Sequence, residues 1–107
     1  EIAIDYLKKA DIDDEVLSSV AIGSIGDCYA DLGDYDEALK YFNKAIANSD
    51  NSFTSPIYLN KAAIAYEFLA NYKKAADYYQ QIVDDYPESP EAGKVKKNLA
   101  KVQQLAD

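Results

Sequence analysis

Residues 33–46 read GDYDEALKYFNKAI, and at residues 70–82 the phrase returns as ANYKKAADYYQQI, 37 residues further on. In the first copy Ala38, Phe42 and Ala45 are spaced four and three residues apart, which places them on one stripe of a helix. In the second copy Ala75, Tyr79 and Ile82 take the same offsets. A stripe that runs from a small residue through an aromatic ring to a small or apolar one is wrapped in charge both times. One amphipathic helix cannot bury such a face alone. Its repetition in register implies two copies of one packing unit stacked on each other.

The punctuation around the two phrases predicts helices throughout. Apolar residues recur every three or four positions and no sustained alternation suggests strands, so the fold class is all-α. Residues 1–10, EIAIDYLKKA, set Ala3, Ile4, Leu7 and Ala10 on one side. The acidic loop DIDD follows, with Asp13 or Asp14 as a cap, and the next helix is expected to reach about Leu32 and stop at Gly33. Asp34 then caps a helix with Glu37 completing a capping box, and that helix should end near Asn48. Ser55-Pro56 opens another helix, with Ser as cap and Pro in the first turn. Asn71 caps the next and Pro87 closes it; Ser89-Pro90-Glu91 opens the last, which runs to about Ala106.

Shifted by 37 residues, Ile22, Ile25, Gly26 and Tyr29 fall on Leu59, Ala62, Ala63 and Tyr66, ahead of the two quoted phrases. The two Ser-Pro openings lie 34 residues apart. In these positions the chain resembles a tetratricopeptide repeat (TPR) protein, W-x2-L-G-x2-Y…A-x3-F…P with a period of about 34. It departs from that pattern where Ile22 and Leu59 replace Trp, Ala62 replaces Leu and Asp50 stands in place of the first Pro, and the extra residues fit the loop around Phe53. The resemblance implies an α-α superhelix, a TPR solenoid of antiparallel helix pairs. One domain over 1–107 is expected: residues 1–10 as the second helix of a truncated repeat, repeats at 19–52 and 56–89, and a C-terminal capping helix at 90–106. Close approach should occur where Gly26 meets Ala38 and Ala63 meets Ala75. Tyr29, Phe42, Tyr66 and Tyr79 should fill the wider gaps. Tyr58, Tyr72, Tyr78 and Tyr86 are less constrained and are expected to reach the surface. The last helix places Val95, Leu99, Val102 and Ala106 on one face and Lys94, Lys97 and Lys101 on another, as a solvated cap does.

Charge and composition narrow the function. Residues 1–55 carry twelve Asp/Glu against four Lys, and residues 56–107 carry seven of each, so the whole net charge of −8 lies in the first half. Such a chain repels phosphate backbones, which argues against nucleic acid as a partner. No apolar run of about 18 residues occurs to span a bilayer. The chain starts at Glu1 and has no methionine, so it reads as a processed or excised piece with an anchor possible upstream. Cys28 is the single cysteine and there is no histidine, so neither an intramolecular disulfide nor a Cys/His metal site is expected. Residues 11–15, DIDDE, alternate acids as a calcium loop does, but Val16 and Ile22 stand where that loop needs Gly and Glu. Ser24 in IGSIG lacks the nucleophile-elbow spacing and has no histidine to activate it. No catalytic residue, metal or cofactor is expected, and the sequence points away from an enzyme.

What the TPR resemblance adds is a binding surface. The first helices of the pairs line a concave groove that commonly receives a peptide or partner helix. The family's groove positions fall here on Val20, Gly23, Asp27, Ala30 and Asp31, then on Ile57, Asn60, Ile64, Glu67 and Phe68, with Lys94 and Asn98 from the closing helix. A clamp for a chaperone's terminal carboxylate is not among the expectations. Gly23/Asp27, Asn60/Ile64 and Lys94/Asn98 do not supply its Lys and Asn set, and Asp27 would repel a carboxylate. A basic amphipathic segment suits the mixture of Asp27, Asp31 and Glu67 with Ile57, Ile64 and Phe68 better. The stretch DDYPESPEAGKVKKNLAKV resembles the junction of bacterial cell-envelope TPR proteins, of the TolA-binding and YfgM-like kinds. The expectation is a scaffold or adaptor of the cell envelope. A cytoplasmic TPR module of a larger chain, or a homo-oligomer paired through the N-terminal edge, stands as the alternative.

Overall fold

Two inner turns built to one hydrogen-bond plan set the architecture of the computed structural model, which describes residues 15–106. The predicted helix at 1–10, its apolar edge and the Asp13/Asp14 cap lie outside the described residues. Helix α1 (Glu15–Asp31) ends where Gly33 adopts φ +80°. There Asp34 N–H reaches back to the Tyr29 carbonyl at 2.9 Å and Gly33 N–H to that of Ala30 at 3.0 Å, the paired bonds of a Schellman ending. Asp34 then accepts Glu37 N–H at 3.2 Å and so caps α2 (Tyr35–Asn48). The return half of the predicted capping box is not made, because the Asp34 amide is already used and Glu37 pairs with Lys40 at 3.0 Å.

The second pair repeats the plan. Helix α3 (Ser55–Phe68) leads to Ala70 at φ +59°, with Asn71 N–H on the Tyr66 carbonyl at 2.9 Å and Asn71 capping α4 (Tyr72–Asp85) through Lys74 N–H. Alanine holds a left-handed conformation here, which costs about 1–2 kcal/mol. Helix α5 (Pro90–Ala106) is capped by Ser89, whose hydroxyl accepts Ala92 N–H at 3.2 Å. The other Ser-Pro opening differs from expectation. Thr54 is the N-cap of α3 and makes no side-chain cap bond, while Ser55 sits inside the helix and its hydroxyl accepts Asn51 N–H. The Asn51 side chain satisfies the loop instead, accepting Phe53 and Thr54 N–H and donating to Thr54 Oγ1 at 2.7 Å.

The five helices of the described residues pack in sequence as antiparallel neighbours, and these residues contain no strand. Two apolar clusters share α3. One joins Ala38, Leu39, Phe42 and Ala45 of α2 to Tyr58, Ala62 and Ala65 of α3. The other joins Leu59 and Ala63 to Ala75, Tyr79 and Ile82 of α4 and to Ala92, Val95, Leu99 and Val102 of α5. Burial on both flanks explains why α3 is rich in alanine where α2 and α4 are one-sided.

The expected contacts of small residues with rings are present. Gly26, Ala38, Ala63 and Ala75 are all buried. A Cβ on Gly26 would lie 2.7 Å from the Phe42 ring and 3.1 Å from the Ala38 carbonyl oxygen. Tyr29 and Tyr41 stack at 5.6 Å, and their images 37 residues on, Tyr66 and Tyr78, meet edge to face at 5.1 Å. Two expectations are corrected. Tyr58 is buried, not surface-reaching, because it covers Gly23 and lies against Phe42 at 6.2 Å. Ala106 is exposed, so the apolar face of α5 ends at Val102.

These contacts predict opposite effects for one substitution at two helical glycines. Gly93 is exposed with no atom near its missing Cβ, so Gly93→Ala should stabilise by about 0.5–1 kcal/mol through helix propensity. Gly26→Ala must displace the Phe42 ring and should destabilise by about 1–3 kcal/mol, read by urea denaturation. Burial also raises the phenols of Tyr58, Tyr79 and Tyr86 and pushes Tyr78 up to about 12. Above a pH of about 10 an unfolded tyrosine ionises while these stay protonated. The native state then holds more protons and loses stability as pH rises through that window. The melting temperature should therefore fall between roughly pH 10 and 12, with part of the phenolate absorbance appearing only on unfolding.

Candidate functional site

The first helix of each pair, α1, α3 and α5, presents a common face, and two depressions lie along it on either side of α3. The first, about 250 Å³, is walled by Asp27, Ala30 and Asp31 of α1, Tyr35 at the start of α2, and Lys61, Ile64 and Phe68 of α3, with Phe42 and Ala65 at its base. The second, about 430 Å³, is walled by Ile64, Glu67 and Phe68 of α3, Tyr72 of α4, and Lys101 and Leu105 of α5. Adding 37 to Asp27, Ala30, Asp31, Tyr35, Ile64 and Phe68 gives Ile64, Glu67, Phe68, Tyr72, Lys101 and Leu105. Every wall of the second socket is thus the repeat image of a wall of the first. The helix stacking that forms the core generates both.

Their chemistry differs because the images differ. In the first socket Lys61 Nζ bridges both carboxylate oxygens of Asp27 at 2.8 Å, a bond from α3 to α1. The same ammonium lies 5.8 Å from the Tyr58 ring centroid. Among the described residues Asp31 is exposed and forms no ion pair, which leaves this socket's described lining one negative charge in excess. The Tyr35 ring stacks on Phe68 at 4.6 Å with the planes 3° apart. In the second socket Glu67 is the only carboxylate among the described residues. Lys101 Nζ holds one of its oxygens at 3.1 Å and the Tyr79 hydroxyl donates to the other. Burial first, and then Glu67, raises the Tyr79 phenol above its ordinary value.

Of the sequence-predicted groove residues, Asp27, Ala30, Asp31, Ile64, Glu67 and Phe68 are brought together around these sockets. Gly23 is buried beneath Tyr58, where a Cβ would meet the ring at 2.1 Å, so it serves packing and not contact. Val20 is exposed, and Ile57 and Asn60 are half-buried; none of the three walls either socket. Lys94 is exposed and walls neither socket, and Asn98 is half-buried beside the Tyr79 hydroxyl. Lys61, Lys101, Leu105, Tyr35 and Tyr72 were missed. The 34-residue spacing of the Ser-Pro openings selects Lys94 and Asn98 on the last helix. The 37-residue spacing of the helix stripes, applied to Ile64 and Phe68, selects Lys101 and Leu105.

Among the described residues the arrangement suits recognition: apolar walls, an unpaired carboxylate at Asp31 and the Lys61–Asp27 and Lys101–Glu67 ion pairs. Among the described residues no three His, Cys, Asp or Glu side chains gather as a metal site, and no helix is long and apolar enough to cross a membrane. Phe68 is 65% exposed and Ile64 39% exposed at the ridge between the sockets, where the core does not require them. Phe68→Ser should therefore cost only about 0.5–1.5 kcal/mol, the worth of its ring stack on Tyr35. Phe42→Ala, at 2% exposure, should cost about 3–5 kcal/mol in the same denaturation assay.

A family model described as tetratricopeptide repeat matches residues 16–88. No curated protein matches the chain.

Proposed function

The chain belongs to the tetratricopeptide repeat family, and from that premise we propose that it is a protein-interaction scaffold whose α1–α3–α5 face takes a basic, amphipathic segment of a partner protein. One observation carries the reading: an exposed apolar ridge, Ile64 and Phe68, stands between two sockets and contributes little to the fold. Large apolar side chains kept in solvent within a concave surface favour a binding role. The acidic excess in residues 1–55 and the unpaired Asp31 favour a cationic partner, since complementary potentials speed encounter and select orientation. The Tyr86-Pro87-Glu88-Ser89-Pro90 junction supports placing the scaffold in a bacterial cell envelope.

The test is a backbone-amide NMR titration with two synthetic amphipathic peptides of equal length, one rich in lysine and leucine, the other in glutamate and leucine. The lysine peptide should shift the amides of Asp31, Ile64, Phe68 and Leu105 and leave those of Lys73, Asp77 and Gln81 on the opposite side in place. Asp31→Lys should weaken its binding severalfold. Equal binding of both peptides, or shifts spread over α2 and α4, would remove the support for this groove.

A further inference from the structure

We infer that the groove reads a two-point pattern: a lysine or arginine side chain in the first socket and an apolar side chain in the second, about three residues apart on one extended segment. This rests on the groove reading above and adds which side chain each socket takes.

The division follows from the repeat images. The first socket has Asp27 and Asp31 on its α1 wall; the images of these residues on the second are Ile64 and Phe68. The carboxylate of Asp27 is already bridged by Lys61 at both oxygens, so Asp31 is the group left to receive a cation. Next to it the Tyr35 and Phe68 rings lie parallel at 4.6 Å and form an aromatic wall, a surface that also attracts a guanidinium or ammonium. The second socket offers no such site. Its carboxylate, Glu67, is held by Lys101 and by the Tyr79 hydroxyl, and its other described walls are Ile64, Phe68, Tyr72 and Leu105. A charged side chain entering there would lose water without gaining a partner, whereas an apolar one buries area against three apolar walls.

Spacing follows from packing. The sockets lie on either side of α3 and share Ile64 and Phe68, so about one helix diameter, roughly 10 Å, separates them. An extended chain advances about 3.3 Å per residue, so about three residues connect the two points.

The experiment uses amide NMR titrations of the whole chain with synthetic Gly/Ser peptides that carry one lysine and one leucine, separated by one to six residues. A three-residue separation should bind most tightly. Replacing lysine by norleucine should weaken binding roughly three- to tenfold, the worth of an exposed ion pair and cation–π contact. Asp31→Asn should produce the same loss for the lysine peptide and none for the norleucine peptide, and a thermal melt confirms that the variant folds. If the peptides shift the groove amides but show no preference for lysine or for spacing, the two-point pattern is wrong and the groove reading stands. If none of them, nor the lysine- and leucine-rich peptide above, shifts those amides, both are wrong.

Discussion

The close approach of a ring to a residue with little or no side chain is the constraint from which the rest follows. Phe42 lies over Gly26, and in the next pair Tyr79 and Ala63 occupy the equivalent places in a fully buried cluster. A bulkier residue at either small position would push the helices of a pair apart. The depth of the grooves between successive first helices depends on that separation. Each pair leaves an uncovered flank, and α3 is buried on both sides because it closes one pair's cluster and opens the next. Interior packing therefore determines where the sockets form.

It also reaches into their chemistry. The second pair uses Tyr79 where the first uses Phe42, and a buried hydroxyl needs an acceptor. Glu67 supplies it, in the place that Ala30 holds one repeat earlier. A carboxylate drawn that close to the core needs a counter-charge, and Lys101 of α5 provides one at 3.1 Å. The change from phenylalanine to tyrosine in the interior thus accounts for an ion pair on the surface and for the near-neutral second socket. The first socket keeps a surplus acid because Asp27 and Asp31 answer to a single lysine, Lys61. Two cavities built by one translation of the backbone come to prefer different side chains.

The fold was legible because its signals are local. Gly33 and Asp34, Asn71, Pro87 and Ser89-Pro90 mark helix ends by backbone preferences that need no tertiary context, and each lies at a helix boundary. The repeated stripe identified Ala38, Phe42 and Ala45, and their images, as core. Misreadings arose where a neighbouring element decides. Tyr58 was expected at the surface, yet Gly23, one helix away, leaves a space that its ring fills. Ser55 resembles a cap, but Asn51 organises that loop and takes its hydroxyl. Half of the groove was legible through the repeat pattern. Lys61 and Lys101 were not, since an ion pair between helices depends on their relative rotation, which periodicity within one helix does not report. On α5 the 34-residue spacing of the helix openings pointed to Lys94 and Asn98, whereas the 37-residue spacing of the packed stripe leads to Lys101 and Leu105, on the same helical face two turns further along, and these line the socket.

A double-mutant cycle between residues 26 and 42 tests the central contact most directly. If a methyl group at position 26 is costly because it strikes the Phe42 ring, the cost of Gly26→Ala should shrink by about 1–2 kcal/mol when Phe42→Leu is already present. The two substitutions would then be strongly non-additive in chemical denaturation. Costs that simply add would mean that the ring and the glycine do not meet, and the spacing of the helix pairs would need another origin.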